Sequence, residues 1–237
     1  MLPRMREKFV PVPEPYFLHN AGSDIPFDVL GIEAWDAVNL GALRLSPGDA
    51  AQIEHTMAEV LLALHSHRRD SYGAIDAPGA PSWAKAFAAR VRPRYENIAG
   101  KISPRAFRQI GDIINCFDLI FADAGPPSLV HGDVWANNVM VVRRSEHGSW
   151  RLRGFVDPGA LYADVEYELA YLEIFHTVGR AFFDAYTAVC PTRPGYEIRR
   201  AAYWLNTMII HVDHFGDAHY RTNTEVLAAQ LAAELGL

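Results

Sequence analysis

The sequence predicts an α+β fold that is mostly α-helical and carries its chemistry on a β-hairpin. Two observations predict it. Apolar residues recur with helical periodicity through most of the chain after about residue 40, and two apolar runs within residues 139–156 flank a turn-forming segment. With 237 residues, 50% of them hydrophobic, the chain can bury a sizeable core.

Two short β segments are predicted before the helices. They are Phe9-Val-Pro-Val-Pro13, near the start of the chain, and Phe27 to Glu33. Proline has no backbone N–H to donate to a sheet, so Pro11, Pro13 and Pro15 exclude the first segment from the centre of one.

Capping residues mark where several helices begin. Ser46-Pro-Gly-Asp49 combines an N-cap serine, a proline in the first turn and an acidic residue, and predicts a helix to about His65. Ser103-Pro104 begins another in the same way, continuing to about Ala124. Apolar periodicity predicts further helices over about 83–98, 164–175, 196–215, which Gly216 ends, and 225–235.

The most informative segment is Leu129-Val-His-Gly-Asp-Val-Trp-Ala-Asn-Asn138. After it, two strands, Val139 to Val142 and Trp150 to Val156, are joined by a turn over Ser145-Glu-His-Gly148. The arms are similar in length, so Asn138 and Asp157 return to the same end of this hairpin. Asp133 lies in the loop that leads into that end.

This spacing is that of kinase-type phosphoryl transfer, in which one Asp takes a proton from the attacking hydroxyl. The Asn and the second Asp supply the oxygen ligands that Mg²⁺ prefers. Taken singly, Asp133 could be a turn former and Asn138 a loop cap. The joint spacing favours the catalytic interpretation, with His131 bracing the loop through hydrogen bonds.

Composition excludes several classes of protein. A net charge of −6 argues against nucleic acid as the main partner. Cys116 and Cys190 are the two cysteines, and their apolar surroundings predict buried thiols rather than a disulfide. No apolar run has the length of a signal peptide or a membrane span, so we expect a cytoplasmic protein with no membrane partner.

The chain resembles the fructosamine kinase family, within the aminoglycoside-phosphotransferase and choline-kinase-like group. The 129–138 segment resembles L-x-H-G-D-L-W-x-G-N, with Asn137 in place of the usual Gly. Residues 157–170 resemble D-P-A-x-x-Y-G-x-x-E-x-D/E-L-A. The C-terminal pattern is matched by Tyr186, Pro191, Pro194-Gly-Tyr196, Arg199, Tyr203-Trp-Leu205 and His211-Val-Asp-His-Phe-Gly216.

The resemblance implies a protein-kinase-like C-lobe that uses ATP and Mg²⁺ to phosphorylate a small sugar-amine. It implies Asp133 as the catalytic base, with Asn138 and Asp157 as metal ligands. Trp135 would form an aromatic wall for the sugar, although from the residues alone it could equally be core. His211 and His214 would face the substrate.

Other features near these residues have simpler explanations. His211 and His214, with Asp213 and Asp217 nearby, superficially suggest zinc, but helix capping and hydrogen bonding are commoner roles. The acidic residues Asp164, Glu166 and Glu168 are expected to cap a helix and brace the catalytic loop.

The resemblance also implies elements that are not found. A kinase of this type needs a Gly-rich loop and a strand Lys held by a helix Glu. None of Lys8, Lys85 and Lys101 has that setting. Glu33-Ala-Trp35 matches the hinge that receives adenine. We therefore expect two domains: residues 1–38 as an N-lobe remnant with the hinge, and 39–237 as the helical C-lobe.

A missing lobe would expose sheet edges and apolar surface. That surface would favour a partner, such as a homodimer covering the N-lobe side, or poor solubility. Three hypotheses stay open at this stage: a sugar-amine kinase, a kinase-like remnant that binds without turnover, and a chain whose recorded start is wrong or whose gene is interrupted.

Overall fold

The computed structural model describes residues 10–143, 145 and 148–237. The chain divides into two compact units, each assembled from three stretches of sequence. Unit 1 comprises Met1–His67, as far as it is described, with His131–Ala160 and Phe175–Pro191. Unit 2 comprises Arg68–Val130, Leu161–Ile174 and Thr192–Leu237.

In chain order, the strands are β1 (Pro15–His19), β2 (Val29–Ile32), β3 (Val38–Asn39), β4 (Gly73–Ala74), β5 (Ser128–Val130), β6 (Val139–Arg143), β7 (Trp150–Phe155) and β8 (Leu161–Ala163). The helices are α1 (Pro47–His65), α2 (Trp83–Asn97), α3 (Pro104–Asn115), α4 (Phe117–Ile120), α5 (Val165–Ile174), α6 (Arg180–Val189), α7 (Tyr196–His214) and α8 (Ala218–Leu235). Two 3-10 helices cover Leu40–Ala42 and Ala136–Asn138.

The described residues of unit 1 form two antiparallel sheets. Strand β1 pairs with β2, and the second sheet has the order β3-β6-β7. The β6–β7 pairing confirms the predicted hairpin, since Val139 lies opposite Phe155 and Arg143 opposite Trp150. Gly148 N donates to Ser145 O at 2.9 Å in the predicted turn. The turn's other two residues, Glu146 and His147, lie outside the described residues.

The first predicted β segment is wrong in position. Residues 10–13 form no strand, and Phe9 lies outside the described residues. Instead Val10 and Val12 are buried, and Pro11 O accepts a hydrogen bond from Phe155 N at 2.8 Å. The Pro11 carbonyl thus bonds to β7 outside a regular strand pair, and regular strand pairing begins only at Pro15.

Helix α1 begins as the sequence predicts. Ser46 Oγ accepts a hydrogen bond from Asp49 N at 3.1 Å, which satisfies one of the unpaired donors of the first turn. Helix α6, by contrast, was not predicted. Glu54 of α1 accepts the hydrogen bond of Phe182 N at 3.1 Å, so the cap of α6 comes from a residue distant in sequence.

Unit 2 is built around an aromatic core. Trp83 and Phe87 of α2 are buried, and the Phe87 ring packs against Phe117, Phe121 and Tyr203 with centroids 5.2 to 5.4 Å apart. The sheet of this unit has the order β4-β8-β5.

Two helix boundaries in unit 2 differ from the prediction. The helix expected to run to Ala124 breaks at Cys116, and α4 follows as a short separate helix. The break lets Phe117 and Phe121 both reach the Phe87 ring. The last helix begins at Ala218, not Glu225, because Tyr220 packs its ring on His211 at 4.6 Å and so fixes the first turn.

The acidic residues after β8 are buried. Glu166 N donates to Asp164 Oδ1 at 3.2 Å, which confirms that Asp164 caps α5. Asp164 and Glu166 also form ion pairs with Arg193 and Arg199, each at 2.6 Å. These contacts, all within unit 2, offset the cost of removing the carboxylates from water, and losing one partner would leave a buried charge uncompensated.

The cysteines form no disulfide, and both are half-buried rather than fully buried. Among the described residues, none of the helices is both long enough and apolar enough to cross a membrane.

Candidate active site

The open end of the β6–β7 hairpin brings Asn138 next to the strand that leads into Asp157. Val139 pairs with Phe155, and Val156 N donates to Asn138 O at 3.0 Å, which extends the ladder by one bond. Asp157 is the next residue. The matched lengths of the two arms therefore bring Asn138 and Asp157 to the same end of the hairpin, as the sequence predicts.

Asp133 and Asn138 are in direct contact. The Asn138 side-chain amide donates to both Asp133 O and Asp133 Oδ2, each at 3.0 Å. Asp133 N in turn donates to His131 Nδ1 at 3.3 Å, and the buried His131 ring packs on Phe155 with centroids 5.7 Å apart. The prediction that His131 braces the loop is confirmed.

Asp157 has an unusual backbone conformation. Its φ angle is +53°, in the left-handed region that residues other than glycine rarely adopt. Such a conformation costs about 1–3 kcal/mol and persists where the surroundings impose it, which is common at functional sites.

The donor atoms at this end suit a hard cation. Both hydrogen atoms of the Asn138 amide nitrogen are directed to Asp133. The amide oxygen, Asn138 Oδ1, is therefore the atom of this side chain that can act as a ligand. An amide oxygen and the Asp157 carboxylate together are ligands of the kind that Mg²⁺ takes. In the described part of the chain, no group of three or more His, Cys, Asp and Glu residues is placed so that it could hold a metal ion.

Trp135 lies in the loop between Asp133 and Asn138 and is 39% exposed, so it is not a core residue. Asn137 stands where the family pattern usually has Gly, and a neighbouring glycine leaves room for its larger side chain. Its Oδ1 lies 2.3 Å from where a Cβ on Gly41 would stand, so the side chain occupies space that a glycine leaves open.

The predicted hinge is joined to β7 by a residue that sequence reasoning missed. The Arg153 guanidinium lies 4.0 Å from the centre of the Trp35 ring, and its NH2 is 3.3 Å from Glu33 Oε1. Glu33 also accepts a hydrogen bond from Glu14 N at 3.1 Å. No local pattern marks Arg153. Only its position on β7, directly before Gly154, could have suggested the contact.

The predicted substrate histidines lie in unit 2, whereas Trp135 lies in unit 1. His211 Nδ1 is 2.8 Å from Thr207 O, one helical turn earlier, and His214 Nε2 is 3.3 Å from Arg94 NH1. Both thus make hydrogen-bonding contacts near the end of α7. A substrate role for them stays a prediction.

Comparison with known proteins decides the family. A model of the family described as fructosamine kinase matches residues 78–233, about two thirds of the chain. The chain belongs to the fructosamine kinase family. The resemblance seen in the sequence is therefore confirmed, and with it a lineage of kinase-type phosphotransferases.

Similar members of the family are much longer than this chain. It is 28% identical over 151 residues to Probable ketoamine kinase of Synechocystis sp., covering 63% of this chain and 49% of that protein. It is 28% identical over 149 residues to ketosamine-3-kinase of Mus musculus, covering 62% of this chain and 46% of that protein. The chain thus spans about half the length of these relatives.

Solved structures show the fold. A fructosamine-3-kinase homologue from Thermobifida fusca has a TM-score of 0.70 at 24% identity, over 95% of this chain and 75% of its own. A thermostable mutant of aminoglycoside phosphotransferase APH(4)-Ia, solved with AMP-PNP and hygromycin B, has a TM-score of 0.68 at 16% identity, over 94% of this chain and 77% of its own. The predicted kinase-like α+β fold is confirmed.

Proposed function

We propose that this chain transfers a phosphate from ATP to a hydroxyl of a sugar-amine of the fructosamine or ketosamine type. The observation that carries the proposal is the contact of Asn138 with Asp133 at the open end of the hairpin, next to Asp157. Family membership supports the reaction type. The substrate class is proposed from the similar proteins that are named ketoamine kinase and ketosamine-3-kinase.

In the proposed mechanism, Asp133 accepts the proton of the substrate hydroxyl while that oxygen attacks the γ-phosphorus, and ADP leaves as the bond from the γ-phosphorus to the β,γ-bridging oxygen breaks. The hydrogen bond from Asn138 holds the Asp133 carboxylate in one orientation, so less rotation must be lost during the reaction. Asn138 Oδ1 and the Asp157 carboxylate would hold Mg²⁺, which when bound supplies positive charge against the phosphate oxygens.

Two aromatic residues have proposed binding roles. The exposed Trp135 ring offers a flat surface for the apolar face of a sugar, and its π-system would attract a protonated amine on the substrate. The hinge segment from Glu33 to Trp35 would receive adenine through its backbone groups, with Arg153 fixing the ring of Trp35.

The test is phosphorylation of a fructosamine in the presence of ATP and Mg²⁺, comparing the wild-type chain with Asp133→Asn. The exposed Asp118→Asn serves as the matched control, since it makes the same chemical change on α4. We expect turnover by the wild type and the control, and at least a ~10²-fold loss in Asp133→Asn. Equal turnover by all three would refute the assignment of the base.

A second candidate is a protein that binds nucleotide without turnover. Among the described residues no lysine lies in a strand, since Lys85 is in α2 and Lys101 pairs with Asp213. A strand lysine that grips the phosphates is a standard part of this kinase chemistry. ATP with Mg²⁺ at a hundredfold excess over Kd would then raise the melting temperature by roughly 5–10 °C, with no phosphorylated product from a metabolite panel.

A further inference from the structure

A cavity of about 280 Å³ lies within unit 1, and residues of α1 and of the segment before it line most of its wall. The wall is mainly apolar: Leu40, Leu43 and Leu45 are half-buried, and Ile53 is 1% exposed. An apolar cavity of about 150 Å³ can take benzene. This cavity therefore has room for a ligand of the size of benzene or larger.

The wall of the cavity also contains a carboxylate. Glu54 of α1 is half-buried, and among the described residues no Lys or Arg lines the cavity. Glu54 Oε2 accepts the hydrogen bond of Phe182 N at 3.1 Å, as the cap of α6. In the part of the chain that the structure describes, Glu54 Oε1 makes no hydrogen bond or ion pair, and a Cβ on Gly179 would lie 3.1 Å from it. One carboxylate oxygen is thus left for a cation.

A second acceptor comes from Thr177, which lines the same cavity and is 6% exposed. Its hydroxyl donates its one hydrogen atom to Val134 O at 3.2 Å. The lone pairs of Oγ1 can still accept, and no donor to this atom is found among the described residues. Two oxygens that can only accept suit a ligand group that can only donate. A primary ammonium, with three N–H donors and no acceptor, is such a group.

The backbone beside Thr177 is strained. His176, which also lines the cavity, has a φ angle of +48°. Among the described residues, Asp157 at the candidate active site is the other non-glycine residue with a positive φ. Such conformations persist where the surroundings impose them and are concentrated at active sites and ligand clamps. The strain at His176 thus supports a binding role for this cavity.

We propose that the cavity binds an organic cation, a primary ammonium that carries an apolar group of about five carbon atoms. The ammonium would donate to Glu54 Oε1 and Thr177 Oγ1, and the apolar group would pack on Leu40, Leu43 and Ile53. Apolar walls with a few polar groups that fix the orientation are typical of small-molecule sites.

The cavity reaches the loop of the candidate active site. Ala136, which lies in the loop between Asp133 and Asn138, is part of its wall. A bound cation would therefore contact this loop without taking part in the proposed phosphoryl transfer. The proposal goes beyond the proposed function, and its test needs neither ATP nor a sugar, so either proposal can fail alone.

The test is a titration of the backbone amide chemical shifts by nuclear magnetic resonance, with n-pentylammonium at about pH 8, where primary amines are charged. n-Pentanol supplies the chain without the charge, and methylammonium supplies the charge without the chain. Glu54→Gln removes the charge and keeps an oxygen that can accept from Phe182 N. Its control is Glu59→Gln, at an exposed residue of α1. Ala50→Leu fills the cavity, with the exposed Ala63→Leu on the same helix as its control.

We expect the wild type and both controls to bind n-pentylammonium with a Kd on the order of 1 mM, with the shifts concentrated around Glu54 and Thr177. n-Pentanol and methylammonium should bind the wild type at least ~10-fold more weakly, and so should n-pentylammonium bind Glu54→Gln, because a hydrogen bond to a charged group is lost. Ala50→Leu should not bind.

A wild type without shift changes at about 20 mM n-pentylammonium would overturn the proposal. Equal affinity of Glu54→Gln and the wild type would overturn it as well, as would equal affinity for n-pentanol, shifts centred elsewhere, or a control that loses binding. The dispersion of the same spectra shows whether each variant is folded. If Ala50→Leu does not fold, Glu54→Gln decides the question alone.

Discussion

The side-chain amide of Asn138 donates two hydrogen bonds to Asp133, one to its backbone carbonyl and one to its carboxylate, both at 3.0 Å. A single side chain thus fixes both the loop that bears Asp133 and the orientation of its functional group. Asn138 is 7% exposed, so water does not compete strongly for these bonds.

We predict that Asn138→Ala lowers kcat by ~10²-fold or more, because misplacing a reacting group by about 1 Å can cost that much. Steady-state phosphorylation of the fructosamine substrate measures the loss. Asn223→Ala, which removes an exposed amide on α8, is expected to leave kcat unchanged. A kcat for Asn138→Ala within threefold of the wild type would show that the contact does not orient the base.

Gly154→Ala is predicted to destabilise unit 1. Gly154 has a φ of +153°, and an added Cβ would lie 2.1 Å from Pro11 O, a backbone atom that also accepts the Phe155 N hydrogen bond. We expect a cost of about 3 kcal/mol, or a melting temperature lower by roughly 6–12 °C. Differential scanning calorimetry measures it, with Gly22→Ala as the control because nothing lies near that position. Equal melting temperatures would contradict the prediction.

Tyr203→Phe is predicted to destabilise unit 2. The Tyr203 hydroxyl accepts a bond from Trp83 Nε1 at 2.9 Å and donates one to Asp164 Oδ2 at 3.1 Å. Burial raises the pKa of Tyr203 well above its usual value, so the hydroxyl keeps its proton and can donate. Its removal leaves two buried groups short of a partner, at a cost of about 2–4 kcal/mol.

Urea denaturation measures this cost, with Tyr220→Phe as the matched control. Tyr220 packs its ring on His211, and no hydrogen bond of its hydroxyl is found in the described part of the chain. A free energy of unfolding that falls equally in both variants would mean that the two hydrogen bonds of the Tyr203 hydroxyl contribute no net stability.

Asp213 is predicted to make stability depend on pH. Burial alone would raise its pKa, but hydrogen bonds from Asn97 and Lys101, with the charges of Lys101 and Arg94, hold the pKa below the usual 3.8. The carboxylate's contribution is therefore fully present above pH 3.8 and is lost as the pH falls through the folded-state pKa. Asp213→Asn should thus be less stable than the wild type at pH 7, and the difference should shrink below pH 3.8.

Urea denaturation between pH 7 and pH 3 measures the difference, with Asp118→Asn as the control for a carboxylate without these partners. A gap between Asp213→Asn and the wild type that stays constant over this range, or widens in acid, would contradict the assignment.

Elements whose signals are local could be predicted from the sequence. The Ser46 cap of α1 and the Ser103 cap of α3 are both present, because each depends on residues within one turn. The β6–β7 hairpin is predictable for the same reason. Its two apolar arms flank a turn of fixed length, and that spacing alone sets which residues meet at the open end.

Elements that depend on distant partners could not be predicted. Helix α6 takes its cap from Glu54, and Pro11 O accepts a hydrogen bond from Phe155 N of β7 instead of bonding within a strand of its own. At the candidate site, the contact of Arg153 with Trp35 escaped prediction because no spacing rule relates two residues so far apart in sequence. The sequence does not decide the exposure of Trp135, since a tryptophan in a loop is compatible with either setting.

Each compact unit consists of three segments that are not contiguous in the sequence. Cutting the gene at any single point therefore yields no fragment that contains one complete unit and nothing of the other. Residues 192–237 complete unit 2 only after the ribosome has finished the whole of unit 1. Neither unit can consequently be isolated by simple truncation, and studies of one alone would require a redesigned order of segments.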